Sequence, residues 1–249
     1  MTPRTDPAIR LRRMHDRLVE AYGAQYWWPA ETAFEVILGA YLTQNTSWKA
    51  VERSLANLRD AGVLTLDGLR AIRLDKLRWL IQPSGFFTRK APALKAFVAM
   101  LDAEFSGSLD VLAAAPTANL RKRLLALPGV GPETADVILL YALGHAVPVA
   151  DEYLRRIAER HELMDAETGR TQPGRNEYDA LADLTRRAFA ADPITQHAQL
   201  FNEFHALTVA VGKAHCGRTP RCEGCPLAFD LRGIKNRKDA HSAARGLKA

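Results

Sequence analysis

Cysteine is scarce in this sequence, and long apolar runs are absent from it. Only three cysteines occur, all between positions 216 and 225, which is not the disulfide framework of a small secreted protein. No run of about 18 apolar residues exists, so no segment is predicted to span a membrane. The N-terminus has basic residues but no apolar segment followed by a small-residue cleavage site, unlike a signal peptide. We therefore expect a soluble protein of the cytoplasm.

Alternating strand patterns are missing as well, and the apolar residues follow a helical period instead. Phe34, Ile37 and Leu38 begin a series at i, i+3 and i+4, which is typical of a helix. Thr32 is the predicted N-cap of this helix, and Glu35 completes a capping box. Similar periods recur along the chain between short, turn-rich connections. The sequence predicts an all-α fold of about ten helices.

The composition allows a substantial core and weakly favours an anionic partner. The 249 residues are 47% hydrophobic, enough for one large or two small domains. There are 34 Lys and Arg against 28 Asp and Glu, a net charge of +6, which is a modest indication of nucleic-acid binding. The basic stretch 232–249 is interpreted as a solvated tail, with a specific DNA contact as the alternative.

A glycine-rich turn lies between two helical segments at positions 127–131. Gly129 and Gly131 flank Val130, and glycines allow a positive φ or a close backbone approach. Pro132 suits the first position of the following helix. Backbone N–H groups at such a helix start favour a phosphate. A corner selected only for packing is the alternative, and the local pattern leaves both open.

Asp151 is the second candidate, because it stands between an apolar segment and a helical one. It is well suited to be an N-cap. A carboxylate at this point can instead face a cleft, where partial desolvation prepares it for charge or proton chemistry.

These residues carry a resemblance to a known family. The segments LPGVGPETAD (127–136) and VADEYLRR (149–156) resemble the helix–hairpin–helix and Gly/Pro-rich loop with its aspartate of the endonuclease III superfamily of DNA glycosylases. Segments 27–55, 82–95 and 201–227 are similar to the endonuclease III-related branch that contains 3-methyladenine DNA glycosylases. The resemblance covers roughly residues 15 to 230.

The resemblance implies a two-lobed all-α fold with a DNA-binding groove and a base-sized pocket between the lobes. It also implies that the chain divides into four parts. Residues 1–30 would pack with the C-terminal lobe, and 31–150 would form a helical lobe with its hairpin at about 118–144. Residues 151–231 would complete the other lobe and end in a cysteine-containing loop, followed by the tail 232–249.

The resemblance also implies which reaction is possible. Asp151 would be the catalytic carboxylate, because cleavage of an N-glycosidic bond builds positive charge on the sugar. Bifunctional members use a lysine in the second helix of the hairpin as a Schiff-base nucleophile, and this sequence has Glu133 there. Unless another lysine substitutes, we expect base removal without efficient β-elimination.

The same resemblance implies a base pocket lined by Trp27, Trp28, Pro29 and Trp48, with Lys213 nearby. Aromatic faces select a positively charged methylated purine by cation–π stacking, and the base must leave the stack to reach them. Ordinary core packing is the alternative for the tryptophans.

Further residues match DNA contacts of the family. Gln44 would fill the gap left by the flipped nucleotide, although a helix-end amide is its plain alternative. Phe86 would wedge between bases of the opposite strand, and Lys90 would meet a phosphate. The hairpin turn Gly129, Val130 and Gly131 would contact the DNA backbone.

Cys216, Cys222 and Cys225 are similar to the 4Fe–4S loop near the end of many endonuclease III relatives. Such a cluster usually needs four thiolates, and the fourth would fall near Leu231. His205, His215 or His241 are alternative ligands for a zinc or iron site. We favour a metal-free loop whose basic residues contact DNA, with a bound cluster as the alternative.

The combined prediction is a monomeric, monofunctional glycosylase that removes alkylated purines such as 3-methyladenine from duplex DNA with a flipped base. One alternative keeps the fold and targets oxidised or mismatched bases, with or without strand cleavage at abasic sites. The other is a non-catalytic helix–hairpin–helix DNA-binding protein. Asp151, Gln44 and the tryptophans argue against the latter, because a pure binder needs no base pocket.

Overall fold

The computed structural model describes residues 5–27, 30–164 and 177–231. Twelve α-helices and no β-strand occur within these ranges, which confirms the predicted all-α class. The number of helices exceeds the prediction because two of them, Leu66–Ala71 and Leu109–Ala113, have only six and five residues. Helices this short span too few turns to produce a recognisable period.

The helices follow one another in this order along the chain: α1 Pro7–Tyr22, α2 Ala33–Leu42, α3 Trp48–Asp60, α4 Leu66–Ala71, α5 Leu74–Leu80, α6 Phe87–Phe105, α7 Leu109–Ala113, α8 Thr117–Leu125, α9 Pro132–Val137, α10 Glu152–Arg160, α11 Glu177–Ala188 and α12 His197–Ala214. A π-helical turn, Ile138–Ala142, continues α9. None of these helices, over the part of the chain described, is both long and apolar enough to cross a membrane.

The chain forms two compact units. Among the described residues, one unit includes 5–25, 150–164, 177–191 and 204–231, and the other includes 26–27, 30–149 and 192–203. We call them the terminal unit and the hairpin unit.

Residues 192–203 are grouped with the hairpin unit, whereas the sequence-based boundaries assign them to the other lobe. Within the hairpin unit, the hydroxyl of Tyr141 donates a hydrogen bond of 3.3 Å to the carbonyl of Asn202. This bond ties the start of α12 to the π-helical turn that continues α9.

The hairpin unit is built around α2, which packs against α3, α6 and the π-helical turn. Thr32 caps α2, because its hydroxyl accepts a hydrogen bond of 3.1 Å from the N–H of Glu35, as predicted. The other half of the capping box differs. The buried Glu35 carboxylate accepts from the N–H of Glu31 instead and pairs with Arg59 at 2.6 Å.

The terminal unit is built around α1, which lies along α11. Its buried face packs on Phe189, where the ring of His15 makes an edge contact at 5.0 Å between centroids. The buried guanidinium of Arg10 donates to both carboxylate oxygens of Asp230, at 3.0 and 2.6 Å. Burial acts to raise the pKa of Asp230, but hydrogen bonds from His161 and Arg10 outweigh it and the pKa is lowered. The pair fixes the Cys-containing loop on α1.

Candidate active site

The glycine-rich turn joins α8 and α9 in a tight hairpin. Gly129 has a φ of +74°, a conformation that side-chain-bearing residues rarely adopt. A Cβ atom at Gly129 would lie 3.6 Å from that of Ala93 on α6, so the turn also rests against α6. Gly131 is extended, with a φ of −96°, and its conformation does not require glycine. Pro132 occupies the first turn of α9, as predicted.

An ion pair that sequence reasoning missed links the two helices of this hairpin. Asp136 of α9 is fully buried, and its carboxylate accepts two hydrogen bonds from Arg121 of α8, at 2.7 and 3.0 Å. A signal was available, since a charged residue inside the apolar run 135–140 needs a partner when it is buried.

Asp151 is the N-cap of α10, as its sequence context predicts. Its Oδ1 atom accepts a hydrogen bond of 2.9 Å from the N–H of Leu154, and only 7% of the residue is exposed. Oδ2 lies 3.6 Å from Nε2 of His205 on α12, a distance that suits a charge contact better than a hydrogen bond. One carboxylate oxygen is thus fixed by the backbone and the other faces a buried imidazole.

Glu133 is the second residue of α9 and is exposed. It lies in the first turn, where a negative charge interacts favourably with the helix dipole. The sequence contains no lysine between Lys122 and Lys213. The second helix of the hairpin therefore carries no amine.

Gln44 follows α2 and reaches the hairpin. Its side-chain amide donates hydrogen bonds to the carbonyl of Gly129, at 2.8 Å, and to the hydroxyl of Thr134, at 2.9 Å. The residue is half-buried. The structure therefore brings two of the predicted DNA-contacting elements together within the hairpin unit.

Phe86 is the N-cap of α6 and adopts a left-handed conformation, with a φ of 46°. It is 57% exposed. The Lys90 ammonium lies 5.9 Å from the centroid of the Phe86 ring. The strained backbone and the exposure of the ring together point to a functional constraint.

The structure revises the predicted role of Lys90. The residue is 4% exposed, and its ammonium donates hydrogen bonds of 2.8 Å to the carbonyls of Leu42 and Ser84. Desolvation lowers its pKa to about 8. A group enclosed in this way is not available to a phosphate, so the geometry supports a structural role instead.

The predicted pocket residues fall in different surroundings. Trp27 is half-buried and makes an edge contact with Tyr141, at 6.0 Å between ring centroids. Trp48 is half-buried at the start of α3. The side chain of Lys213, at the end of α12, is exposed. The predicted pocket residues Trp28 and Pro29 lie outside the described residues.

Comparisons with known proteins agree on one family. The model of the HhH-GPD superfamily of base excision DNA repair proteins matches residues 38–175. A candidate DNA repair glycosylase of Methanocaldococcus jannaschii is 36% identical over 217 residues, which are 86% of this chain and 92% of that protein. The chain belongs to the HhH-GPD superfamily. It is thus a base excision repair glycosylase, which confirms the resemblance at the level of the superfamily.

Solved structures of glycosylases share this fold. The Helicobacter pylori 3-methyladenine DNA glycosylase bound to 1,N6-ethenoadenine superposes with a TM-score of 0.66 at 28% identity, over 84% of this chain and 98% of that one. A non-covalent endonuclease III–DNA complex gives a TM-score of 0.67 at 20% identity, over 96% and 98% of the two chains. At the latter identity the likeness concerns the fold alone.

The three cysteines of the glycosylase do not form a set that fits a four-thiolate cluster. Cys216 is buried, and its sulfur accepts a hydrogen bond of 3.0 Å from Arg160. Cys222 is exposed and Cys225 half-buried. Among the described residues, no group of three or more His, Cys, Asp or Glu side chains is arranged to hold a metal ion. Position 231, where a fourth thiolate would fall, is leucine.

The histidines considered as alternative ligands have other surroundings. His205 lies beside Asp151, and the Nδ1 atom of His215 lies 2.9 Å from the carbonyl of Arg221. His241 lies outside the described residues. Arg160 also donates a hydrogen bond of 2.8 Å to the carbonyl of Gly217. The Cys-containing loop is therefore held by hydrogen bonds within the protein.

Proposed function

We propose that this glycosylase is monofunctional and excises alkylated purines, such as 3-methyladenine, from duplex DNA. The observation that carries the proposal is the state of Asp151. A nearly buried carboxylate with one oxygen held by the N–H of Leu154 is a preorganised negative charge. Such a charge interacts more strongly with a developing cation than a solvated carboxylate does.

In this mechanism the N-glycosidic bond lengthens and positive charge develops on the sugar. The Asp151 carboxylate stabilises that charge and accepts a proton from the attacking water. His205 faces the second carboxylate oxygen. The imidazole therefore limits the directions from which solvent and substrate can approach this oxygen.

The absence of lyase chemistry follows from Glu133. A carboxylate cannot attack the sugar and form a Schiff base, and no lysine occurs between Lys122 and Lys213. The abasic product would therefore leave the enzyme with its strand intact.

Alkylated purines are the substrate class favoured by the aromatic residues and by one relative. Trp27 lies against Tyr141 of the π-helical turn that continues α9, and aromatic side chains can select a methylated purine by cation–π stacking. The similar H. pylori enzyme is a 3-methyladenine DNA glycosylase. The base has to be flipped from the duplex to reach such faces. Gln44 would fill the space that it leaves, Phe86 would wedge between bases of the opposite strand, and the enzyme would act as a monomer.

A panel of duplexes tests the proposal. Each duplex carries 3-methyladenine, 7-methylguanine, thymine glycol, uracil or an abasic site, and strand breaks are scored with and without alkali. Breaks that depend on alkali and occur at the alkylated purines support the proposal. Excision of only thymine glycol or uracil would assign another substrate class, and breaks at the abasic site without alkali would contradict monofunctional chemistry. DNA binding without excision of any base would indicate a non-catalytic DNA-binding protein.

A further inference from the structure

Lys90 joins two loops of the hairpin unit that are separate in sequence. Its ammonium donates to the carbonyl of Leu42, the last residue of α2, and to the carbonyl of Ser84, two residues before Phe86. Gln44 stands two residues after Leu42. We call residues 43–47 the Gln44 loop and residues 84–87 the Phe86 turn.

Each of these loops contains a strained residue. Asn45 of the Gln44 loop has a φ of 52°, and Phe86 has a φ of 46°. Left-handed backbone at a residue other than glycine persists only when the surrounding structure holds it there. The two carbonyls that accept hydrogen bonds from Lys90 lie a few residues before these strained residues, Leu42 before Asn45 and Ser84 before Phe86. The two hydrogen bonds are therefore suited to hold both strained residues in place.

The Gln44 loop is also connected to the hairpin. The Gln44 amide binds the carbonyl of Gly129 and the hydroxyl of Thr134. Gly129 itself rests on Ala93 of α6, one turn after Lys90. The Gln44 loop, the Phe86 turn and the hairpin therefore form one hydrogen-bonded framework that rests on α6.

Burial of this ammonium is unfavourable by itself. Desolvation disfavours the charged form and lowers the pKa of Lys90 to about 8. A methionine of similar length would fill the same space without this cost. Core packing alone therefore does not explain why a lysine occupies this position.

We infer that Lys90 is a positioning residue for DNA engagement: its two carbonyl bonds fix the distance between the Gln44 loop and the Phe86 turn. The Gln44 and Phe86 side chains then enter the duplex from loops that are already ordered. The entropic cost of ordering these loops is therefore not paid on binding. This inference rests on the proposed function, since it takes Gln44 and Phe86 to be the inserting residues.

Lys95 provides a matched control on the same helix. Its ammonium also donates to two main-chain carbonyls, those of Leu69 and Arg70, at 2.6 and 2.9 Å. Desolvation lowers its pKa as well. Those carbonyls belong to α4, which carries neither proposed inserting residue. Lys95→Met therefore removes the same kind of contact without touching the Gln44 loop or the Phe86 turn.

The experiment compares full-length wild type, Lys90→Met and Lys95→Met in two measurements. The first is amide hydrogen exchange across 43–47 and 84–87, without DNA. The second is the single-turnover excision rate, with the Kd for a duplex bearing an abasic-site analogue. Lys90→Gln, which keeps one donor group, replaces Lys90→Met if the latter does not fold.

We expect faster exchange in both segments for Lys90→Met, and a fall of about tenfold or more in excision and in affinity for the abasic duplex. Lys95→Met should match wild type in these segments and in excision. Equal exchange and equal excision in the two variants would overturn the inference. A wild type that excises no base defeats the proposed function instead, while the exchange comparison still decides whether Lys90 holds the two loops.

Discussion

The carboxylate of Asp136, which has no solvent exposure, accepts two hydrogen bonds from the guanidinium of Arg121. The two residues belong to the two helices of the hairpin, so the pair fixes the angle at which the turn is presented. Only 26% of the Arg121 side chain is exposed, and the pair is therefore weakly screened by solvent.

Substitution of Arg121 alone should lower the free energy of unfolding far more than substitution of both Arg121 and Asp136. Arg121→Met removes both of these hydrogen bonds and the opposite charge from a fully buried carboxylate, and we expect a loss of about 3–5 kcal/mol in the free energy of unfolding. The double variant Arg121→Met/Asp136→Leu should recover most of this loss. Urea unfolding measures all three proteins.

The control for this prediction is Arg123→Met on the same helix, which breaks an exposed pair with Glu104. That variant should lose less than about 1 kcal/mol. Similar losses for Arg121→Met and Arg123→Met would mean that the buried pair does not brace the hairpin.

Lys90 should give the protein a recognisable pH dependence. Burial lowers its pKa from 10.5 to about 8, so between these values the unfolded chain binds more protons at this residue than the folded chain. The free energy of unfolding of wild type should therefore rise with pH relative to Lys90→Met across this window. Urea unfolding from pH 7 to 10 measures the difference, in which the other titrating groups largely cancel. A constant difference, or one that falls with pH, would contradict the burial of a charged amine.

Glu133→Lys should add the reaction that the wild type lacks. A lysine at this position would supply an amine for attack on the sugar, and the product would be trapped by borohydride as a covalent protein–DNA adduct. Wild type should give no adduct. Ala126→Lys is the control, because it puts an amine on the exposed end of α8, on the other side of the same turn. An adduct formed equally well by all three proteins would show that the position of Glu133 has no bearing on lyase chemistry.

The Cys-containing loop should depend on Arg160 rather than on a metal. Arg160 donates to the sulfur of Cys216 and to two main-chain carbonyls, so Arg160→Met should cost about 1–3 kcal/mol and lower the Tm. Treatment with a chelator should leave the Tm unchanged, and no absorption band is expected near about 400 nm. Stoichiometric iron with such a band would contradict this account of the loop.

Much of the fold could be predicted because the signals are local. Helical periods, the Thr32 cap, Pro132 and the Asp151 cap each depend on residues within one or two turns. The positive φ at Gly129 follows from its place between two helical segments. Short helices such as α4 and α7 escaped detection because five or six residues show no period.

The contacts that organise the site are not local, and sequence reasoning missed them. A lysine is exposed by default, and the burial of Lys90 depends on a carbonyl 48 residues away. From the sequence, a lone histidine such as His205 is structural, solvated or a metal ligand, whereas the fold brings it against Asp151. Tertiary packing places both Lys90 and His205, and neither helical periodicity nor a helix cap in the sequence predicts such contacts.

Excision by Asp151→Asn is the most direct test of the central claim that Asp151 carries the chemistry. Asparagine is as good an N-cap as aspartate, so the variant keeps the acceptor for the N–H of Leu154 and should fold. Asp6→Asn, the same change at the N-cap of α1, is the matched control. In single-turnover assays on duplex DNA with 3-methyladenine, we predict a rate at least about 100-fold lower for Asp151→Asn, with DNA affinity retained and Asp6→Asn unaffected. Equal rates for Asp151→Asn and wild type would contradict the account.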